Sequence, residues 1–128
     1  MTRSHFYRFS LITFSVSLIL ALFIAGSQPQ AAGLFMSPVD KLVHSLYFGI
    51  FTFAIVMSNT MPLKYAAILA AALGAADELH QMLLPGRMPG FDDWLADCFG
   101  AVIVVCIFSV IRKQPIALIQ DCTEGSRK

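Results

Sequence analysis

Residues 9–26 run for eighteen positions without a charged side chain. As a helix rising 1.5 Å per residue, a run of that length can cross the hydrocarbon core of a bilayer, which takes about 20 apolar residues. The remainder of the chain is similar in character. Hydrophobic residues make up 57% of the 128 and charged residues 13%, the latter about half the usual share, and the mean hydropathy is +0.71. Too little polar surface is left to cover a water-soluble globule, so the chain reads as one integral membrane domain. Arg3 and Arg8 ahead of the run and Ala25-Gly26-Ser27 behind it also fit a cleaved signal peptide. The run is longer than the usual apolar stretch of a signal, which favours an uncleaved first helix. On either reading the next segment is delivered outside the cell.

A linker at 27–37 precedes Ser37-Pro38-Val39-Asp40, which reads as a helix start with Ser at the cap, Pro at the first helical position and an acid at the third. The second helix is expected over 38–59, stopped by Asn59-Thr60-Met61-Pro62. The third is expected over 65–84, ahead of a loop with two Pro and two Gly at 85–90, and the fourth over 93–112, capped by Asp92. Residues 114–128, with Pro115 at their start, read as a cytoplasmic tail ordered at best in part. With the N-terminus inside, the inner segments hold Arg3, Arg8, Lys64, Arg112, Lys113, Arg127 and Lys128, against only Lys41 and Arg87 outside. The expected architecture is an all-α membrane protein: an antiparallel bundle of four transmembrane helices over residues 1–113 with both termini cytoplasmic.

This arrangement sends six of the eight acids to the outer side: Asp40 on helix 2, Asp77 and Glu78 on helix 3, and Asp92, Asp93 and Asp97 at helix 4. Lys41, His44, His80, Gln81 and Arg87 join them. Asp40 and His44, Asp77 and Gln81, and Asp93 and Asp97 are each four apart and share a helix face. His44 and Asp77 lie about 10 Å below their helix ends, too deep for headgroup water to serve them. Ionisable groups at that depth need partners or a task, and a polar pocket between helices 2, 3 and 4, open to the outside, supplies both.

Six acids against two bases repel a bare phosphate and favour a divalent cation, a cationic group or protons. Carboxylates suit Mg²⁺, Ca²⁺ or Mn²⁺, and Asp77, Asp93 and Asp97 are the metal-ligand candidates; His44 or His80 would widen the choice of ion. Crowded carboxylates also retain protons, which makes His44, Glu78 and Asp77 candidates for acid and base work. Lys41, Gln81, Arg87 and Asp40 are candidate substrate-binding groups. Each has a simpler structural reading: Asp40 and Asp92 as helix caps, Lys41 snorkelling to headgroups, Arg87 as an anchor, His80 as a packing residue off the Asp77–Gln81 stripe. Trp94 and Tyr47 read as interface aromatics, and 66–76 with Gly74 as a close helix-packing face. Cys98, Cys106 and Cys122 lack metal-ligand spacing and read as reduced packing residues. No basic patch with interleaved aromatics points to nucleic acid.

Asp40-Lys41-x-x-His44, Asp77-Glu78-x-x-Gln81, the Pro-Gly-Arg turn ending at Arg87, and Asp93 with Asp97 and Gly100 occur in this order across residues 38–101. Together they resemble the VanZ-like family of small bacterial membrane proteins. The resemblance implies a multi-pass protein of the cytoplasmic membrane with a role in the cell envelope, since the founding member is associated with teicoplanin resistance. Asp97 stands where the family pattern leads us to expect a polar residue, often an amide.

Three functions fit these features. The first is a non-enzymatic pocket that binds a lipid headgroup or lipid-linked wall precursor and lowers glycopeptide susceptibility. The second is a metal-assisted hydrolase or transferase on a lipid-linked substrate. The third is a cation- or proton-coupled transporter, for which four helices are few, so that a homodimer would be required. No nucleophile elbow, P-loop or zinc-protease spacing is present, and no Ser or Cys sits beside an acid–imidazole pair in the outer cluster, which argues against covalent catalysis.

Overall fold

The computed structural model describes residues 3–28, 37–87 and 89–125, with side chains to Arg112. Four helices follow one another: α1 (Arg3–Gly26), α2 (Val39–Ser58), α3 (Leu63–Gln81) and α4 (Phe91–Gly125), with no strand among the described residues. Most of the linker expected at 27–37 and the last three residues lie outside the described set.

Three helices are long and apolar enough to cross a membrane: Arg3–Gly26, Val39–Ser58 and Phe91–Arg112. Their apolar side chains are largely turned outward. Phe6, Phe9, Leu20 and Ile24 on α1, Leu42, Leu46 and Ile50 on α2, and Phe99, Ile107 and Val110 on α4 are all exposed. That much uncovered hydrocarbon is untenable in water and ordinary against lipid. α3 has comparable length, but Lys64, Asp77 and Glu78 raise its charge above what a plain apolar span carries.

α2 is central. It packs most extensively on α4 and also contacts α1 and α3, while α1 and α3 meet only slightly. The buried apolar core is small: Phe48, Phe51, Ile55 and Val56 of α2, Ala66 and Ala70 of α3, and Ala101 of α4. Close approach comes from small residues. A Cβ on Gly100 would overlap the Ser45 carbonyl oxygen and come within 3.1 Å of the Gly49 nitrogen, so α4 can ride against α2 only with glycine there. Ala66, Ala70 and Gly74 line the buried side of α3, the packing face expected from their spacing.

The ends of the bundle differ in polarity. At one end Asn59 adopts a left-handed conformation (φ 51°) and closes α2. There Arg8 Nε donates to the Ser58 carbonyl at 3.1 Å and Arg112 Nη2 to the Val56 carbonyl at 3.5 Å. Two cations thus meet the negative end of the α2 dipole and its terminal carbonyls. At the other end the α2 start, the α3 finish and the α4 start come together.

Several boundaries differ from expectation. α1 begins at Arg3 rather than at residue 9, because helix continues through the polar start. α3 ends at Gln81, short of 84, and the chain turns through Met82–Leu84 with single-turn hydrogen bonds. Pro38 occupies the N-cap of α2 with no side-chain cap bond; the Asp40 carboxylate instead accepts from the Lys41 amide at 2.9 Å. Asp92 lies inside the first turn of α4, since the Gly90 carbonyl accepts from the Asp93 and Trp94 amides at 3.0 and 3.3 Å and starts the helix two residues earlier, at Phe91. The tail expected from 114 is helical to Gly125. Pro115 removes one backbone donor, but the good helix formers after it, Ala117, Leu118 and Gln120, carry the helix on.

Candidate functional site

The antiparallel order of α2, α3 and α4 sets their polar segments at one end of the bundle. From α2 come Asp40, Lys41 and His44; from α3, Asp77, Glu78, His80 and Gln81; from α4, Asp92, Asp93 and Asp97. The side chains divide into a rim and an interior.

Lys41 organises the rim. Its Nζ lies 2.5 Å from Asp92 Oδ2, 2.8 Å from Asp93 Oδ1 and 3.6 Å from Asp40 Oδ2. One cation therefore joins the start of α2 to the first turn of α4. Asp92 is largely exposed, and its share of the attraction is screened by water.

The interior is nearly dry. Asp97 has no solvent exposure, and Asp77, Glu78 and Gln81 are buried. Gln81 Nε2 donates to Asp77 Oδ2 at 2.8 Å, one turn along the same helix. His44 Nδ1 lies 2.9 Å from Asp97 Oδ1, linking α2 to α4. The Gly90 amide donates to Glu78 Oε2 at 2.8 Å, so the α3 acid is held by the residue that starts α4. His44 is also within electrostatic reach of Asp77 and Asp93, and Glu78 within reach of Asp77, Asp93 and His44.

One donor atom each from His44, Glu78 and Asp97 falls within 4.8 Å of the others. Two carboxylate oxygens of this trio, Glu78 Oε1 and Asp97 Oδ2, are buried with no hydrogen-bond partner among the described residues. Gly74 makes the room: a Cβ there would stand 2.7 Å from Asp97 Oδ2 and 3.1 Å from Asp97 Cβ. No spacing rule reveals that α3 yields this space to an α4 carboxylate.

Of the metal-ligand candidates from the sequence, only Asp97 belongs to this trio. Asp93 is engaged by Lys41 and Asp77 by Gln81. His44 and Glu78, read from the sequence as acid–base groups, supply the other two donors. Arg87 reaches toward the end of α1, its Nη2 being 3.7 Å from where a Cβ on Gly26 would sit, and it lies within electrostatic reach of Asp77. His80 faces α1 as well, with Nε2 3.3 Å from Ser27 Oγ and its ring edge-on to Phe23 at 5.2 Å.

Two aromatics read from the sequence as interface residues tie helices together. Trp94 Nε1 donates to the Ala71 carbonyl at 2.9 Å, fastening α4 to α3. The Tyr47 hydroxyl donates to the Leu18 carbonyl at 2.5 Å, fastening α2 to α1. The polar tip of a part-buried Tyr or Trp takes a hydrogen-bond partner, here a backbone carbonyl. Cys98 and Cys106 are unpaired thiols; Cys106 is exposed on the apolar part of α4.

No curated protein and no solved structure matches the chain. The family described as VanZ/LLP1 does, over residues 1–112. The match takes in α1 as well as the motif-bearing stretch 38–101, so the first helix is part of the shared unit although it carries none of the motifs. The chain, a multi-pass membrane protein by its apolar helices, belongs to the VanZ/LLP1 family.

Proposed function

We propose that the polar end of the bundle faces outside the cytoplasmic membrane and binds the headgroup of a lipid or lipid-linked wall precursor, lowering susceptibility to glycopeptides. The observation that carries this reading is the meeting of His44, Asp77, Glu78, Gln81 and Asp97, from three helices, in a buried cluster at one end of the molecule. A purely structural bundle gains little from such a cluster, because every buried ionisable group is costly in hydrocarbon. α3 crosses with the other three, being about 28 Å long at 1.5 Å per residue. Both termini are cytoplasmic, in keeping with Arg8 and Arg112 at the opposite end. Lys41 and Arg87 stand where a headgroup would enter.

The test substitutes His44, Asp77, Glu78, Arg87 and Asp93 singly in cells expressing the protein, scoring glycopeptide susceptibility beside membrane abundance. Loss of protection at unchanged abundance is the expected result. Unchanged protection in all five variants would remove the pocket from the function.

The His44–Asp97 contact favours one second reading, a hydrolase or transferase on a lipid-linked substrate. A carboxylate that orients an imidazole is the arrangement a general base needs. Turnover of such a substrate that survives Glu78→Gln and His44→Gln would exclude it.

A further inference from the structure

We infer that His44, Glu78 and Asp97 form a binding site for one divalent transition-metal ion of the Mn²⁺ or Zn²⁺ kind. The inference deepens the pocket reading, on which it rests for the ion's role, but the ion can be measured separately. Its basis is that three donors on three different helices converge within 4.8 Å. Donors about 2.1 Å from a shared ion are at most about 4.2 Å apart, so the trio needs to close by only about half an ångström. The 2.9 Å between His44 Nδ1 and Asp97 Oδ1 is already close to the separation of adjacent ligands on one ion, and a bound ion would replace the proton between them.

The second basis is independent of proximity. Glu78 Oε1 and Asp97 Oδ2 are buried and accept no hydrogen bond among the described residues, and Asp97 is wholly removed from solvent. A carboxylate oxygen left in that condition is expensive to bury. Both belong to the trio, and the other oxygen of Glu78 is held by the Gly90 amide. Such a supporting contact keeps a ligating carboxylate in place. Lys41 does not serve them, being engaged by Asp40, Asp92 and Asp93. Gly74 leaves the room that the Asp97 carboxylate occupies and that any larger residue would take.

The donor set selects the ion. One imidazole nitrogen with two carboxylates suits Mn²⁺ and Zn²⁺, whereas Mg²⁺ and Ca²⁺ prefer oxygen throughout. An ion here would also offset part of the acid charge and let a phosphate-bearing headgroup approach a cluster that otherwise repels it.

Mn²⁺ alone is the probe. Full-length protein in detergent micelles is stripped with chelator and titrated with Mn²⁺ in the absence of substrate lipid, with free ion followed by electron paramagnetic resonance. The expected result is one saturable site per chain and a directly coordinated ¹⁴N in the electron spin-echo modulation of the wild type. Glu78→Gln and His44→Gln should each weaken binding at least tenfold, and the latter should remove the nitrogen coupling. Lack of saturable binding to wild type, or a bound ion without nitrogen coupling, overturns the inference whether or not any variant folds. A protein that protects cells yet binds no ion would retain the headgroup pocket and lose the metal site. One that binds the ion and protects nothing would do the reverse.

Discussion

The two ends of this bundle are built on opposite principles. Near the Arg8–Arg112 end, Phe51, Ile55 and Val56 of α2 meet Ala66 and Ala70 of α3 in a wholly apolar contact. The hydroxyls buried there, of Thr52 and Ser58, bond to carbonyls of their own helix, and no ionisable group is buried. One or two turns away α2, α3 and α4 bury Asp77, Glu78, Gln81 and Asp97 and cover most of His44. Two of those carboxylate oxygens go unpartnered. If the first region holds the protein together and the second is kept for what it does, substitutions should separate stability from activity along the bundle axis. Lipid surrounds both regions, so what stabilises the first is close packing rather than escape from water.

The largest effects are expected where the regions adjoin, at the α2–α4 crossing. A Cβ on Gly100 would overlap the rigid Ser45 carbonyl, while one on Gly49 would meet the Gly100 backbone no closer than an ordinary 3.6 Å. Gly100→Ala must therefore push α4 off α2, with a loss of about 3 kcal/mol or failure to accumulate. Gly49→Ala should be close to neutral. Thermal unfolding of both variants in micelles checks the pair, and equal stability would mean that the helices do not approach so closely. Phe51→Ala, deep in the apolar region, is expected to lose about 3 kcal/mol as well.

How far the sequence shows all this differs between the ends. The four apolar runs, the antiparallel order and the collection of acids at one end follow from run lengths, Pro and Gly punctuation and the placement of Lys and Arg. Periodicity also puts Asp77 with Gln81. It is silent on partners across helices, because rotation of one helix about its axis by a single residue would exchange them. Nothing in the spacing of Lys41 says that it takes three aspartates and leaves Glu78 to a backbone amide from the loop. Asp97 needs Gly74 opposite it, twenty-three positions earlier, and only the folded contact shows that. Pro115 misleads for another reason: a proline weakens a helix locally, but the residues after it decide whether the helix resumes.

A sharper test of the contrast lies in Asp97→Asn, whose effect should be small and of the opposite sign. The amide keeps the shape of the carboxylate and an oxygen for His44, and it removes a fully buried charge. Stability measured by thermal unfolding is expected to stay within about 1 kcal/mol of wild type or to rise, while protection against glycopeptides falls. A loss as large as that of Phe51→Ala would show that the polar end is structural after all.

The smallest effect should come from Tyr47→Phe, which deletes a single hydroxyl between α2 and α1. Hydrogen bonds between helices in lipid contribute about 0.6 kcal/mol on average, because the separated helices find other partners for the same groups. The Tyr47 ring stays packed beside the core without its hydroxyl, so little else is disturbed. The Leu18 carbonyl keeps its place in α1, where its intrahelical bond remains. Unfolding should shift by less than about 1 kcal/mol, and protection should not change, since α1 supplies no donor to the His44–Glu78–Asp97 trio. A variant that kept its stability but lost protection would mean that the setting of α1 against α2 controls the polar end. The division of labour along the bundle axis would then be incomplete, with the first helix part of the working half.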